Sequence, residues 1–418
     1  MATVVLLGTL DTKGKEYDYL RDRLREHDVH AVLVDAGVFE PQVEADVSRE
    51  EVAAAGGADS AALATAEDRG AAVDAMGRGA AEVVRRLHEE GRLDGILSVG
   101  GSGNSSIAAQ AMRALPVGVP KLIVSTLASG DTRPYVGAAD VTMTYSVVDI
   151  SGLNRISERI LSNAAGAIAG MAHAREPQSE GGRPLIGATM FGVTTPAVTR
   201  ARERLEELGY EVLVFHATGT GGQSMEALAR GGFLAGVLDL TTTELADDLV
   251  GGVLSAGPDR LETAGELGLP QVVSVGALDM VNFGPRETVP DQFEGRNLYV
   301  HNPTVTLMRT TPEECAELGR RIASKLSAAT GPTALFIPLK GVSMIATEGG
   351  PFYDRDADEA LFAALREGLG ENVELHELDL DVNDPAFADA MADRLHGLVE
   401  AGSAAGKAVG ARPESQGA

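Results

Sequence analysis

The sequence predicts an α/β protein with doubly wound, mainly parallel sheets, and three observations predict it. Short apolar runs alternate with helical patterns along the chain, as expected when helices cover both faces of parallel sheets. One such run, Ile96-Leu97-Ser98-Val99, enters a glycine-rich turn that leads into an Ala-rich helix. After a polar stretch near residues 175–183 the strand–turn–helix order starts again. The 418 residues exceed what one core supports, so two α/β domains are expected, with a ligand cleft between their strand ends. Their expected limits are 1–178 for a nucleotide-binding domain, 179–403 for a substrate or partner domain, and 404–418 for a flexible tail of small and polar residues.

The first domain opens with a strand at Val4-Val5-Leu6-Leu7 and a turn through residues 8–14, then a helix over 16–27 and a strand over 31–35. A polar, Ala-rich connection spans 40–70, followed by a helix over 71–89 and the strand 94–99. Strands at 121–126 and 141–145 and a helix over 153–174 complete the domain. The second repeats the plan with a strand at 184–188, a helix to 208 and a strand at 211–215. A helix at 225–229 and strands at 236–240, 271–275, 298–300, 333–338 and 374–378 follow.

Composition excludes several function classes. With 61 acidic and 35 basic residues, the net charge of -26 argues against holding nucleic acid or an anionic membrane through bulk charge. The absence of Trp weakens any base-stacking model. A single cysteine excludes a disulfide framework and a thiolate-rich metal site within one chain. With no basic leader pattern and no apolar run of about 18 residues, a cytoplasmic setting is expected.

Candidate site residues gather at the predicted strand ends. Gly100, Gly101 and Gly103 let backbone N–H groups approach a ligand, and Ser102, Asn104, Ser105 and Ser106 add short polar side chains beside a helix N-terminus, which suits phosphate. The same turn could also serve as a strand-to-helix connection without a ligand. Thr9, Asp11, Thr12, Lys13, Thr126, Ser129, Gly130, Asp131 and Asp149 end neighbouring strands. Lys13 offers a point charge, and Asp131 or Asp149, with Asp11 as a further candidate, offers a carboxylate for hydrated Mg²⁺. Asp11 and Asp131 also fit turn or cap positions. In the second domain His216, Glu244, Asp279, His301 and Arg309 form a candidate acid–base or carboxylate-binding set, and Gly219, Gly221 and Gly222 form a second glycine turn. A zinc site is disfavoured because no H-x-x-x-H helix occurs. A nicotinamide site is disfavoured because residues 4–14 lack G-x-G-x-x-G.

Gly8-Thr9-Leu10-Asp11-Thr12-Lys13, Gly100-Gly101-Ser102-Gly103, residues 124–131 and 153–157, His216-Ala217-Thr218-Gly219-Thr220-Gly221-Gly222, residues 238–244 and residues 276–284 together carry a resemblance over about residues 3–400. The chain resembles the family of the ATP-binding domain of the tomato mosaic virus resistance protein and its bacterial relatives, catalogued as an uncharacterised protein family. That resemblance implies two Rossmann-like domains, ATP binding, and self-association as a homodimer or higher homo-oligomer. The strand-end residues add the expectation of an ATP- and Mg²⁺-dependent enzyme, a phosphotransferase or ligase, acting on a small carboxylated metabolite. The alternative is a module in which ATP controls a partner or oligomer surface without turnover.

Overall fold

The structure is a computed structural model that describes residues 1–66, 68–174 and 182–410. It divides into two compact units, Met1–Ser179 and Glu180–Ala418. Residues 175–181, in the stretch expected to hold the boundary, and 411–418 of the expected tail lie outside the described residues.

In the first unit the chain runs β1 (Ala2–Gly8), α1 (Leu10–Glu26), β2 (Val29–Asp35), α2 (Arg49–Ala55), α3 (Ser60–Thr65), α4 (Arg69–Glu89), β3 (Gly95–Gly100), α5 (Ser102–Arg113), β4 (Lys121–Ser125), α6 (Arg133–Val136), β5 (Thr142–Tyr145) and α7 (Arg155–His173). Its sheet has the order β2-β1-β3-β4-β5, parallel throughout. Val4 to Leu7 are fully buried, which is why β1 reads as a continuous apolar run with helices on both faces. From β1 the chain passes outward to β2, whereas from β3 it passes the other way to β4. This reversal places the ends of β1 and β3 side by side at the position where open α/β sheets receive ligands.

The second unit contains β6 (Leu185–Met190), α8 (Thr195–Glu207), β7 (Glu211–His216), α9 (Thr220–Arg230), β8 (Leu234–Thr241), α10 (Glu244–Val250), α11 (Thr263–Glu266), β9 (Gln271–Gly276), β10 (Met280–Phe283), β11 (Leu298–Asn302), β12 (Val305–Arg309), α12 (Pro312–Ser327), β13 (Thr333–Pro338), α13 (Arg355–Gly368), β14 (Val373–Leu378) and α14 (Pro385–Gly410). Six strands form a parallel sheet, β14-β13-β9-β8-β6-β7.

Three local expectations change. α1 begins at Leu10, within the expected turn, because Asp35 receives its first N–H, and it carries a non-helical residue at Lys13. The connection over 40–70 contains α2 and α3, capped by Ser48 and Asp59. The strand expected at 298–300 joins a separate antiparallel sheet, β10-β12-β11, so His301 does not lie at the end of a parallel strand.

Candidate functional site

Where β1 and β3 end, buried polar side chains fix the two turns against each other. Asn104 is buried, accepts from Thr9 N at 3.1 Å and donates to Ser98 Oγ at 2.8 Å. The Tyr17 hydroxyl donates to Leu7 O at 2.6 Å and accepts from Val99 N at 2.8 Å, and burial pushes its pKa up to about 12. A Cβ on Gly8 would lie 2.0 Å from the Tyr17 ring, so this close approach requires glycine.

Beside these turns lies a cavity of about 530 Å³, built entirely from the first unit. One side is polar, with Thr9, Asp11, Thr12 and Lys13 from the start of α1, Gly101, Ser102, Gly103 and Asn104 from the start of α5, and Asp149. The other side is mostly apolar: Ala36, Val38, Phe39, Leu63, Ala66, Ala72, Val73 and Ile107, with Arg69 among them.

The two helix ends facing this cavity differ. At α1 the Asp35 carboxylate, 1% exposed, accepts from Leu10 N at 3.1 Å and Gly37 N at 2.8 Å. Burial raises its pKa, with Asp11 adding to the effect against the two backbone donors. At α5 no side chain caps the helix, so the N–H groups of its first turn have no intrahelical partner. Gly101 has an extended backbone (φ -92, ψ -158). A Cβ there would meet nothing nearer than Thr126 Oγ1 at 3.8 Å, and one on Gly103 nothing nearer than Arg69 Nη2 and Val73 Cγ2 at 3.8 Å. Neither strain nor packing therefore demands these two glycines, and their missing side chains leave the backbone open to the cavity. Gly100 differs, because its Cβ would lie 2.6 Å from Asn104 Cβ.

The remaining first-unit candidates divide clearly. Asp11 Oδ2 accepts from Phe39 N at 3.1 Å and Val38 N at 3.3 Å, fixing the cavity wall, while its buried Oδ1 has no partner. Lys13 Nζ donates to Ile150 O. Asp149 Oδ1 accepts from Ile150 N at 2.9 Å. Ser105 pairs with Ser125 at 2.8 Å inside the unit, and Ser106 Oγ donates to Ser102 O at 3.0 Å within its own helix. Gly100, Ser105, Ser106, Thr126, Ser129, Gly130 and Asp131 do not line the cavity. Asp131 pairs with Arg133 at 2.7 Å, which holds its carboxyl down at about 2. Asp149 is thus the one of the two proposed metal ligands that faces the cavity. Among the described residues, no group of three or more His, Cys, Asp or Glu is placed to hold a metal ion.

In the second unit Asp279 and Arg309 are neighbours, with Thr310 N donating to Asp279 O, while Glu244, His216 and His301 have partners of their own. Glu244 is fully buried. Its Oε1 accepts from Gly219 N at 2.7 Å and Gly222 N at 3.1 Å, and its Oε2 from Arg260 Nε at 2.7 Å. The second glycine turn therefore already holds an anion, the protein's own carboxylate. Arg260 also binds Asp239 through both terminal nitrogens, at 2.5 and 2.7 Å. Arg309 donates to Phe352 O, Thr310 Oγ1 and Asp358 Oδ1. Asp279 accepts from Ser343 Oγ at 2.8 Å, and burial pushes its pKa up to about 6 against the pull of Arg309. His216 is exposed at the end of β7 with its ring 5.4 Å from Phe191, and His301 is exposed on β11 beside Tyr299.

The chain matches the Uncharacterised protein family (UPF0261) N-terminal domain over residues 2–177 and the C-terminal domain of the same family over residues 183–399. It belongs to UPF0261. A UPF0261 protein of Clostridium tetani is 55% identical over 399 residues, covering 95% of this chain and 99% of that protein. The ToMV resistance protein Tm-1(GCR237) of Solanum lycopersicum is 46% identical over 313 residues, which are 73% of this chain and 42% of the tomato protein. Among solved structures, the UDP-GlcNAc 2-epimerase from Neisseria meningitidis bound to UDP-GlcNAc aligns over 98% of this chain and 99% of its own, at 10% identity and a TM-score of 0.25, too low to inform this UPF0261 chain's chemistry. No described helix is long and apolar enough to cross a membrane.

Sequence reasoning missed the apolar wall of the UPF0261 cavity and Arg69. Its signal was the apolar set Val38, Phe39, Leu63 and Val73 inside or flanking a connection read as polar.

Proposed function

We propose that the first unit binds a nucleotide, ATP with its Mg²⁺, at the open N-terminus of α5. One observation carries this reading. Asp35 closes the start of α1 and Glu244 closes the start of α9, whereas the start of α5 is uncapped and faces the cavity. Phosphate oxygens would meet the N–H groups of Ser102, Gly103 and Asn104 with Lys13 as the nearby cation. Val38, Leu63, Val73 and Phe39, which is 60% exposed, offer a surface for the base. Mg²⁺ would be held by Asp149 together with phosphate oxygens, the usual arrangement for this ion. The position of Asp35 also disfavours a nicotinamide dinucleotide, whose pyrophosphate uses the first helix of the fold.

Binding without turnover fits the second unit better than a phosphotransferase or ligase does, because Glu244 and Arg309 are committed to internal partners. Occupancy of the cavity would then act on a partner or on a homo-oligomer surface. Catalysis on a small carboxylated metabolite retains one supporting feature: Asp279, whose carboxyl burial pushes up to about 6, has a buried Oδ1 without a partner.

Titration calorimetry of the full chain with ATP, ADP and NAD, with and without Mg²⁺, tests the reading, followed on the same sample by assays of phosphate and ADP release. ATP binding without release supports a binding module, and release dependent on an added hydroxy or keto acid supports an enzyme. NAD binding without ATP binding would refute the nucleotide assignment.

A further inference from the structure

The segment between β5 and α7, residues 146–154, crosses α1 and is tied to it by two side chains one helical turn apart. Lys13 Nζ donates to Ile150 O, and Glu16, itself buried, accepts from Gly152 N at 2.7 Å. Inside the segment Ser146 Oγ donates to Val148 O at 2.7 Å. Asn154 anchors the far end by capping α7. Val147 has a φ of 63°, a left-handed backbone that a β-branched residue rarely adopts, with its side chain 60% exposed. Such a conformation persists only while its surroundings hold it.

Two groups in this arrangement, Lys13 and Asp149, line the cavity. A phosphate free of Mg²⁺ beside the start of α5 would act on both in the same direction, whereas Mg²⁺ held by Asp149 would offset the repulsion there. The metal-free phosphate attracts the Lys13 ammonium away from the Ile150 carbonyl, and it repels the Asp149 carboxylate on the segment itself. We propose that residues 146–153 form a strap that a metal-free anion in the cavity releases. The proposal rests on the nucleotide reading above. It makes Lys13 a positioning residue in the empty protein and a ligand group in the loaded one, so that occupancy reaches the exposed side chains of Val147 and Leu153.

Amide hydrogen exchange of the full chain, read by mass spectrometry over residues 147–153, tests the strap, with calorimetry on the same sample to establish occupancy. Saturating ATP in the presence of a metal chelator should speed exchange there by about tenfold, the factor expected for loss of one hydrogen bond to a charged donor. Lys13→Met should exchange fast without any ligand and respond no further, while peptides from β9 exchange as in the parent chain. Asp149→Asn should match the parent when empty and loosen less when loaded. Unchanged or slowed exchange at demonstrated occupancy overturns the strap, as does ordinary exchange in ligand-free Lys13→Met. Absence of any anion binding by calorimetry overturns the nucleotide reading as well, and so is told apart from failure of the strap alone.

Discussion

Replacing Asn104 with Ala separates a strut from a ligand group. The side chain is 6% exposed, and both its polar atoms are engaged, with Thr9 N at 3.1 Å and Ser98 Oγ at 2.8 Å. Truncation removes two hydrogen bonds of about 1 kcal/mol each and leaves the Thr9 N–H without an acceptor, for a total of about 2–4 kcal/mol. The backbone N–H of residue 104, which the proposed phosphate would meet, is untouched. Urea unfolding should therefore show a lower midpoint at unchanged slope. ATP affinity, measured well below the unfolding transition, should stay within about tenfold of the parent. A variant as stable as the parent that no longer binds ATP would refute this, because it would make Asn104 a ligand contact rather than the tie between the two turns.

Gly100→Ala should destabilise the first unit by about 1–3 kcal/mol by overpacking against Asn104 Cβ at 2.6 Å, measurable by urea unfolding. Arg260→Leu should cost about 3–5 kcal/mol by leaving the buried Asp239 and Glu244 carboxylates uncompensated, visible as early loss of the second unit in thermal unfolding. Burial holds the Asp247 carboxyl up at about 7, whereas an ordinary aspartate ionises near 3.8. The folded state thus keeps a proton that the unfolded state loses, and stability contributed by this group falls as pH rises from about 4 to 7, by at most about 1.4 kcal/mol per pH unit. Asp247→Asn should flatten that slope in unfolding curves collected across the interval.

The fold was largely legible because parallel strands covered on both faces leave uninterrupted apolar runs. Val4 to Leu7 and Ile96 to Val99 are such runs, and the turns that follow them were read at the right strand ends. Of the β10-β12-β11 sheet only the strand at 298–300 was read; β10 and β12, four and five residues long, were not. The cavity was half legible. Glycine turns announce where a backbone can approach a ligand, but nothing local announces that Asp35 and Glu244 fold back to fill the helix ends at two of them. Those contacts join residues 25 positions apart in each case, Leu10 with Asp35 and Gly219 with Glu244. Long-range pairing of this kind leaves no period in the sequence. Asp131 illustrates the converse, an aspartate at a promising strand end whose charge is taken by Arg133 two residues away.

Gly101→Asp tests whether α5 presents the open anion site, by installing the kind of internal carboxylate that closes α1 and α9. Aspartate is a favourable cap at this position, and its Cβ meets no close neighbour. The variant should melt at or above the parent's temperature and lose ATP binding by calorimetry. A well-folded Gly101→Asp chain that binds ATP as tightly as the parent would contradict an open anion site at α5.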